Sequence, residues 1–152
     1  MVETRRIQEE DYSGILRVVE ALPDWFDSDA RNRSIPIDLK HQDGFIALFN
    51  GEIVGFITLF VAEGRLHIGW LGVKPDCQHR GIGTELLNCA ETFGKQHSLT
   101  EIATYTLGDS VNYKPYEATR QFYFSRGFTI YQRNQTDNPG CSEEIRIKKQ
   151  IV

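Results

Sequence analysis

The 152-residue chain has 40% hydrophobic and 25% charged residues, which is typical of one ordinary globular domain. Its net charge of −4 argues against a protein that binds nucleic acid or a membrane surface. Cys77, Cys89 and Cys141 form no CxxC pair, so we expect no disulfide framework and no bound metal. No apolar run approaches the roughly 18 residues of a membrane span, and we expect no secretory signal because no apolar segment follows the first residues. We therefore expect a single cytoplasmic domain over residues 1–152.

The N-terminal part of the chain predicts one strand and two helices. Residues 2–7 predict a short first strand. Asp11 is predicted to cap an amphipathic helix that Pro23 ends. The polar segment 24–31, with its two large aromatic residues, predicts a loop followed by a second short helix.

The middle of the chain predicts a β-hairpin followed by a third strand. Apolar residues 44–49 and 52–61 flank Asn50-Gly51, and Asn-Gly between two such runs is the strongest short-range hairpin signal. Residues 65–73 predict the next strand.

The C-terminal half predicts helices that alternate with strands. The helices are expected at residues 84–93 and 116–126, each closed by a glycine, and the strands at residues 99–106, 128–133 and 143–151. Long hairpins followed by helix-separated strands indicate an α/β (α+β) fold, with a mixed sheet and helices on both faces.

A glycine-rich turn joins the predicted strand 65–73 to the next helix. It contains Gln78-x-x-Gly81-x-Gly83, a pattern that presents unpaired backbone N–H groups at the positive end of a helix dipole. Such a turn is suited to binding phosphate. Leu86 occupies the place of the third Rossmann glycine, and the P-loop lysine is missing. The turn alone leaves phosphate binding and a purely structural turn open.

A second motif follows about 40 residues later, at Phe122-Tyr123 and Gly127-Phe128. Together with the glycine turn, it resembles the GCN5-related N-acetyltransferase (GNAT) superfamily. The resemblance implies a mostly antiparallel sheet of about six to seven strands. It also implies an acetyl-CoA-dependent enzyme that transfers the acetyl group to a primary amine by direct attack, through a tetrahedral intermediate.

The resemblance also implies a binding site for coenzyme A. The residues expected to hold its pyrophosphate are Gln78, His79, Arg80, Gly81, Ile82, Gly83 and Thr84. Leu71 and Val73 occupy the positions whose backbone pairs with the pantetheine arm. Tyr116 stands where family members often carry asparagine, and its hydroxyl is within possible reach of the cofactor.

Two residues are candidates for proton transfer. The resemblance gives Tyr123 the role of a general acid that protonates the leaving thiolate, and the alternative is that Tyr123 only packs the core. His67 is a candidate general base because alternation along a strand places it on the face of Leu71 and Val73, unless a bulge changes the phase. An ordinary strand histidine is the alternative for His67.

The expected acceptor region lies near Trp25 and Phe26, in the loop between the first helices. The neighbouring Asp24 and Asp27 favour a cationic amine, and both a small molecule and a protein amine remain open. An exposed last strand would permit a homodimer. The competing hypothesis is a non-catalytic module of the same fold that binds coenzyme A or a nucleotide.

Overall fold

The computed structural model describes residues 2–139 and 141–151, which form a seven-stranded mixed sheet with helices on both faces. The strands are β1 (Val2–Arg6), β2 (Asp43–Phe49), β3 (Glu52–Ala62), β4 (Arg65–Val73), β5 (Glu101–Leu107), β6 (Thr129–Gln135) and β7 (Glu143–Gln150). The helices are α1 (Tyr12–Glu20), α2 (Ile35–Leu39), α3 (Ile82–Gln96) and α4 (Lys114–Ser125). The predicted domain also includes Met1, Gly140 and Val152, which lie outside the described residues.

The strand order is β1-β2-β3-β4-β5-β7-β6, and every neighbouring pair is antiparallel except β4–β5. The predicted fold class is therefore confirmed. Within residues 2–139 and 141–151, no helix has both the length and the apolar character of a membrane span.

Two hydrophobic cores lie on opposite faces of the sheet. Helices α1 and α2 cover one face, where Ile15 and Ile35 pack with Phe56 of β3. Helix α3 covers the other face, where Leu86 packs with Leu59 of β3, and Tyr123 of α4 joins the same core. The sheet is therefore buried on both sides, as the long apolar runs of β3 and β4 require.

The predicted hairpin is confirmed at Asn50-Gly51. Both residues adopt positive φ, at 51° and 79°, which is the backbone conformation that a two-residue type I′ turn needs. Phe49 of β2 pairs directly with Glu52 of β3 across this turn.

Two predicted helix ends differ from the observed ones. Asp11 does not cap α1 with its side chain, since the carboxylate accepts hydrogen bonds from the preceding Gln8 N–H at 2.8 Å and from the Arg5 guanidinium at 2.7 and 2.9 Å. Gly94 lies inside α3 and does not end it. A Cβ at Gly94 would stand 2.7 Å from the Ile151 side chain, so the glycine lets the helix approach the end of the chain.

The two central strands part soon after they meet. Among the described residues, β4 and β5 share just two ladder pairs, Leu66 with Ile102 and His67 with Ala103. Beyond them the Thr104 hydroxyl donates to the Ile68 carbonyl at 3.1 Å. We call the gap between residues 69–73 and 104–107 the sheet opening.

Candidate active site

A β-bulge interrupts β4 beside the sheet opening. Ile68 pairs with Leu59 of β3, whereas Leu71 pairs with Ile57, so β4 carries one extra residue between these pairs. At the bulge the Trp70 N–H donates to the Thr58 hydroxyl at 2.8 Å. The extra residue reverses the alternation of side chains along the strand.

The bulge overturns the predicted orientation of His67. Its side chain lies on the face opposite Leu71 and Val73, stacked on Phe60 with ring centroids 5.0 Å apart. The imidazole Nε2 lies 3.0 Å from the Ala62 carbonyl oxygen, and the residue is 9% exposed. His67 therefore lies outside the cavity described below.

The backbone of Leu71 and Val73 faces the sheet opening. The Lys74 N–H donates to the Val54 carbonyl of β3 at 2.8 Å, so these two residues form a hydrogen-bonded pair. Hydrogen-bonded and non-hydrogen-bonded pairs alternate along an antiparallel ladder. Leu71 and Val73 occupy the pairs that are not hydrogen-bonded, so their N–H and C=O groups point away from β3. The Val73 carbonyl accepts a hydrogen bond from the Gln78 amide at 3.0 Å.

The glycine turn leads into α3 through a left-handed residue. Gly81 precedes the helix with φ of 81°, a conformation that strains other residues, and the first helical hydrogen bond runs from the Glu85 N–H to the Gly81 carbonyl at 3.0 Å. The N–H groups of Ile82, Gly83 and Thr84 therefore have no partner within the helix. They form the positive end of a 15-residue helix dipole.

The second glycine of the turn lies at a close contact between two helices. A Cβ on Gly83 would stand 3.1 Å from the Phe122 ring, so this glycine lets α4 approach the start of α3. Gly83 thus packs against an aromatic ring and also lines the cavity described below, among the residues predicted to hold the pyrophosphate.

Arg126 lies at this junction and was missed in the sequence. Its Nε donates to the Thr84 hydroxyl at 2.9 Å, and its Nη1 donates to the Phe122 carbonyl at 2.9 Å. The guanidinium lies 3.9 Å from the centroid of the Phe122 ring. A basic residue directly before Gly127, four residues after Phe122, was the signal available in the sequence.

These elements enclose one cavity of about 540 Å³. It is lined by Leu22, Trp25, Phe26, Leu71, Gly72, Val73, Cys77, Gln78, His79, Gly81, Ile82, Gly83, Thr84, Ala118, Thr119, Gln121, Phe122, Tyr123, Ser125 and Arg126. The cavity thus brings together most of the predicted cofactor residues and the predicted acceptor residues Trp25 and Phe26. Arg80 and Tyr116 are not among the lining residues.

Tyr123 both packs the core and lines the cavity. Its ring lies edge-on to Phe122 and Phe128, with centroids 5.3 and 5.1 Å away, and the residue is 5% exposed. Burial raises the pKa of the phenol well above its ordinary value, and a side-chain interaction with Thr104 opposes this only in part. The hydroxyl is therefore protonated at neutral pH.

Three hydrogen bonds tie the loop after α1 to the start of α4. Trp25 Nε1 donates to the Pro115 carbonyl at 3.1 Å, and the Tyr116 hydroxyl donates to the Trp25 carbonyl at 2.8 Å. The Tyr113 hydroxyl donates to the Asp24 carbonyl at 2.7 Å. Tyr116 therefore uses its hydroxyl proton to hold the loop, and the predicted contact of Tyr116 with the cofactor stays a prediction. Burial raises its pKa to about 12.

Comparison with known proteins identifies the family. The model of the acetyltransferase (GNAT) family matches residues 2–128, so this chain belongs to that family. An aminoalkylphosphonate N-acetyltransferase of Salmonella typhimurium is 35% identical over 91 residues, which are 55% of this chain and 54% of that protein. The chain thus spans about half the length of this curated relative.

Solved structures share the fold at low sequence identity. A Desulfovibrio desulfuricans protein assigned to the GNAT family has a TM-score of 0.86 and 21% identity, with all of both chains covered. The PaiA N-acetyltransferase of Thermoplasma acidophilum, solved with coenzyme A, has a TM-score of 0.74 and 19% identity over 99% of each chain. These likenesses show the fold.

Proposed function

We propose that this chain transfers an acetyl group from acetyl-CoA to a primary amine. The observation that carries the proposal is a cavity that joins the start of α3, the open backbone of β4 and the buried phenol of Tyr123. Family membership supports acetyl transfer in general. The residues that line the cavity support cofactor binding and the steps of acetyl transfer.

The residues present fit coenzyme A. Free N–H groups at Ile82, Gly83 and Thr84 suit the pyrophosphate, because a helix N-terminus favours negative charge. Arg126 adds a guanidinium at the same place, and guanidinium groups bind phosphate through paired hydrogen bonds. The backbone groups of Leu71 and the N–H of Val73, which point away from β3, suit the amides of the pantetheine arm, which would extend the sheet as an added strand.

The chain would assist acetyl transfer at two points. Acetyl-CoA supplies a thioester that a neutral amine attacks directly. The Leu71 N–H, directed into the sheet opening, would donate to the acetyl oxygen as negative charge develops there. As the C–S bond breaks, Tyr123 would protonate the departing thiolate, for which its raised pKa keeps the proton available. The proton that the attacking nitrogen loses would pass through solvent and restore the phenol.

Thiol release from acetyl-CoA across a panel of primary amines tests this function. The panel includes an aminoalkylphosphonate, the acceptor class named for the Salmonella relative. We expect acetyl-CoA-dependent thiol release with at least one amine, and mass spectrometry should show the product heavier by one acetyl group.

The competing hypotheses predict other results. A non-catalytic module would bind coenzyme A tightly and release no thiol with any amine. Tighter binding of ATP or NAD than of coenzyme A in a calorimetric titration would contradict the proposal and favour a nucleotide-binding module.

A further inference from the structure

The cavity is lined from both faces of the sheet. Leu71 and Tyr123 pack in the core beneath α3, whereas Leu22 and Phe26 pack in the core beneath α1 and α2, and all four line the cavity. Trp25 packs beside Leu22 and Phe26 and lines the cavity with them. We call Leu22, Trp25 and Phe26 the apolar wall. The apolar wall and Tyr123 therefore lie on opposite faces of the sheet.

Gly72 brings the apolar wall close to the proposed position of the acetyl group. A Cβ at Gly72 would stand 3.2 Å from side-chain atoms of both Leu22 and Phe26, so these two side chains lie directly against the β4 backbone. Gly72 follows Leu71, whose N–H is proposed to donate to the acetyl oxygen. Because Tyr123 lies on the other face, an amine that reaches the acetyl carbon from this face would contact the apolar wall.

The apolar wall presents hydrocarbon surface to the cavity. Its one polar side-chain group, the Trp25 indole N–H, already donates to the Pro115 carbonyl at 3.1 Å. Phe26 stands edge-on to Trp70 with ring centroids 5.9 Å apart, and Leu22 is buried beside it. The protein therefore holds these side chains in place before any ligand binds.

The charges of the cavity lie away from the apolar wall. Among the described residues that line the cavity there is no aspartate or glutamate. Asp24 and Asp27 flank the wall in the sequence but do not line the cavity, and the Asp27 carboxylate accepts a hydrogen bond from the Ala30 N–H at 2.8 Å. The Arg126 guanidinium contacts Thr84 near the start of α3, where the pyrophosphate is proposed to bind. The positions of Asp24 and Asp27 thus give no support to the cationic acceptor that the sequence suggested.

We propose that the acceptor is a primary amine with an apolar body, such as an arylalkylamine, and that the apolar wall binds this body. Removing apolar surface from water favours such a ligand, and an aromatic ring adds edge-to-face contacts. A charged body would lose its hydration at the wall without gaining a partner. This inference rests on the proposed acetyltransferase function and specifies its acceptor class.

The experiment compares four acceptors that share an aminoethyl group: phenylethylamine, ethanolamine, diaminoethane and aminoethylphosphonate. For the wild-type protein we expect kcat/KM for phenylethylamine to exceed that for each of the others by about 10-fold or more, which is the gain from burying a side chain of that size. This comparison needs no variant, so it does not depend on how a substitution affects folding. A polar acceptor that matches or exceeds phenylethylamine would overturn the inference, while thiol release still supports acetyl transfer.

Two substitutions at Trp25 test the wall itself. Trp25→Ser removes apolar surface and should lower kcat/KM for phenylethylamine about 10-fold, with ethanolamine changed by less than about 2-fold. Trp25→Phe loses the hydrogen bond to Pro115 but keeps an aromatic ring, so it should retain most of the preference. An equal loss of preference in both variants would show that the hydrogen bond sets it, and would contradict the inference.

Phe49→Ser is the matched control. It removes an aromatic ring that is 37% exposed at the end of β2 and does not line the cavity. We expect the preference for phenylethylamine to stay unchanged in this variant. A loss as large as that in Trp25→Ser would show that the preference does not come from the apolar wall.

A separate measurement keeps the inference testable if no amine is acetylated. Calorimetric titration into the coenzyme A-loaded protein should then show phenylethylamine binding about 10-fold more tightly than ethanolamine, and Trp25→Ser should remove most of this difference. Equal binding of the two amines would contradict the inference by itself. Absent turnover would count against the proposed function alone.

Discussion

Tyr123 faces the core on one side and the cavity on the other. Its aromatic neighbours desolvate the hydroxyl, and desolvation disfavours the phenolate, so the pKa rises. The same burial that stabilises the fold therefore keeps a proton available beside the cavity. Packing and catalysis are compatible roles for this residue.

Replacing Tyr123 with phenylalanine tests the proposed proton donor. The change removes the hydroxyl and keeps the ring contacts with Phe122 and Phe128. We expect kcat to fall by about 10²-fold, as for the loss of a general acid, with little change in the dissociation constant of coenzyme A. Steady-state kinetics and calorimetry measure the two quantities.

Two outcomes would count against Tyr123. An unchanged kcat would remove it from the mechanism, and a parallel loss of coenzyme A affinity would indicate a binding role. Because the pKa of Tyr123 is raised, its deprotonation should impose no loss of kcat at or below its ordinary pKa of about 10.

The position of Tyr123 beside the cavity could be predicted from local sequence patterns, whereas the hydrogen bond of Tyr116 could not. Tyr123 belongs to a motif whose other residues lie within five positions of it in the sequence, and α4 places its side chain in the core. The Tyr116 hydroxyl bonds a carbonyl 91 residues earlier in the chain, which no local pattern reveals. Likewise, the side on which His67 lies depends on Thr58 of the neighbouring strand, which bonds the backbone at the bulge.

At the scale of secondary-structure elements, the end of α4 and the start of α3 together line one side of the cavity. Because Gly83 has no side chain, the Phe122 ring can approach the start of α3. The Arg126 guanidinium in turn lies over the face of this ring. The hairpin at Asn50-Gly51 was predictable because its conformation is set by two adjacent residues. The helix junction was not, because it joins residues about 40 positions apart.

Replacing Arg126 with glutamine tests this junction. We expect the dissociation constant of coenzyme A to rise about 10-fold, because one charge-assisted hydrogen bond to phosphate is lost. Binding of pantetheine, which lacks the diphosphate, should change little. Competition calorimetry can measure both ligands.

Arg133→Gln is a matched control, since Arg133 pairs with Asp109 at 2.7 Å and does not line the cavity. It should leave coenzyme A affinity unchanged. An equal loss of affinity for pantetheine and coenzyme A in Arg126→Gln would indicate that the arginine acts on packing alone.

At the scale of the whole molecule, the sheet is two antiparallel blocks joined at one parallel contact. Strands β1–β4 form one block and β5–β7 the other, with a two-pair ladder between them within the described residues. A ligand that pairs with Leu71 and Val73 binds the folded protein and not the unfolded chain. It therefore stabilises the fold by mass action.

Thermal unfolding should measure this stabilisation of the fold by bound coenzyme A. At about 100 times its dissociation constant, coenzyme A should add about 2.7 kcal/mol to the free energy of unfolding. For a protein of this size, that corresponds to a rise in Tm of about 5–10 °C. ATP at the same concentration serves as the control and should raise Tm less, and an equal rise would contradict binding that involves the pantetheine arm.

The bulged edge of β4 has a consequence for how this site tolerates sequence divergence. Main-chain N–H and C=O groups line the sheet opening at Leu71 and Val73, and every amino acid except proline carries both. Under the proposed function, substitutions at these positions preserve the pairing surface as long as the backbone follows the same path. Recognition of the ligand then depends on backbone geometry more than on side-chain identity. Under the same proposal, change can accumulate more freely in the side chains of the predicted acceptor region at Trp25 and Phe26.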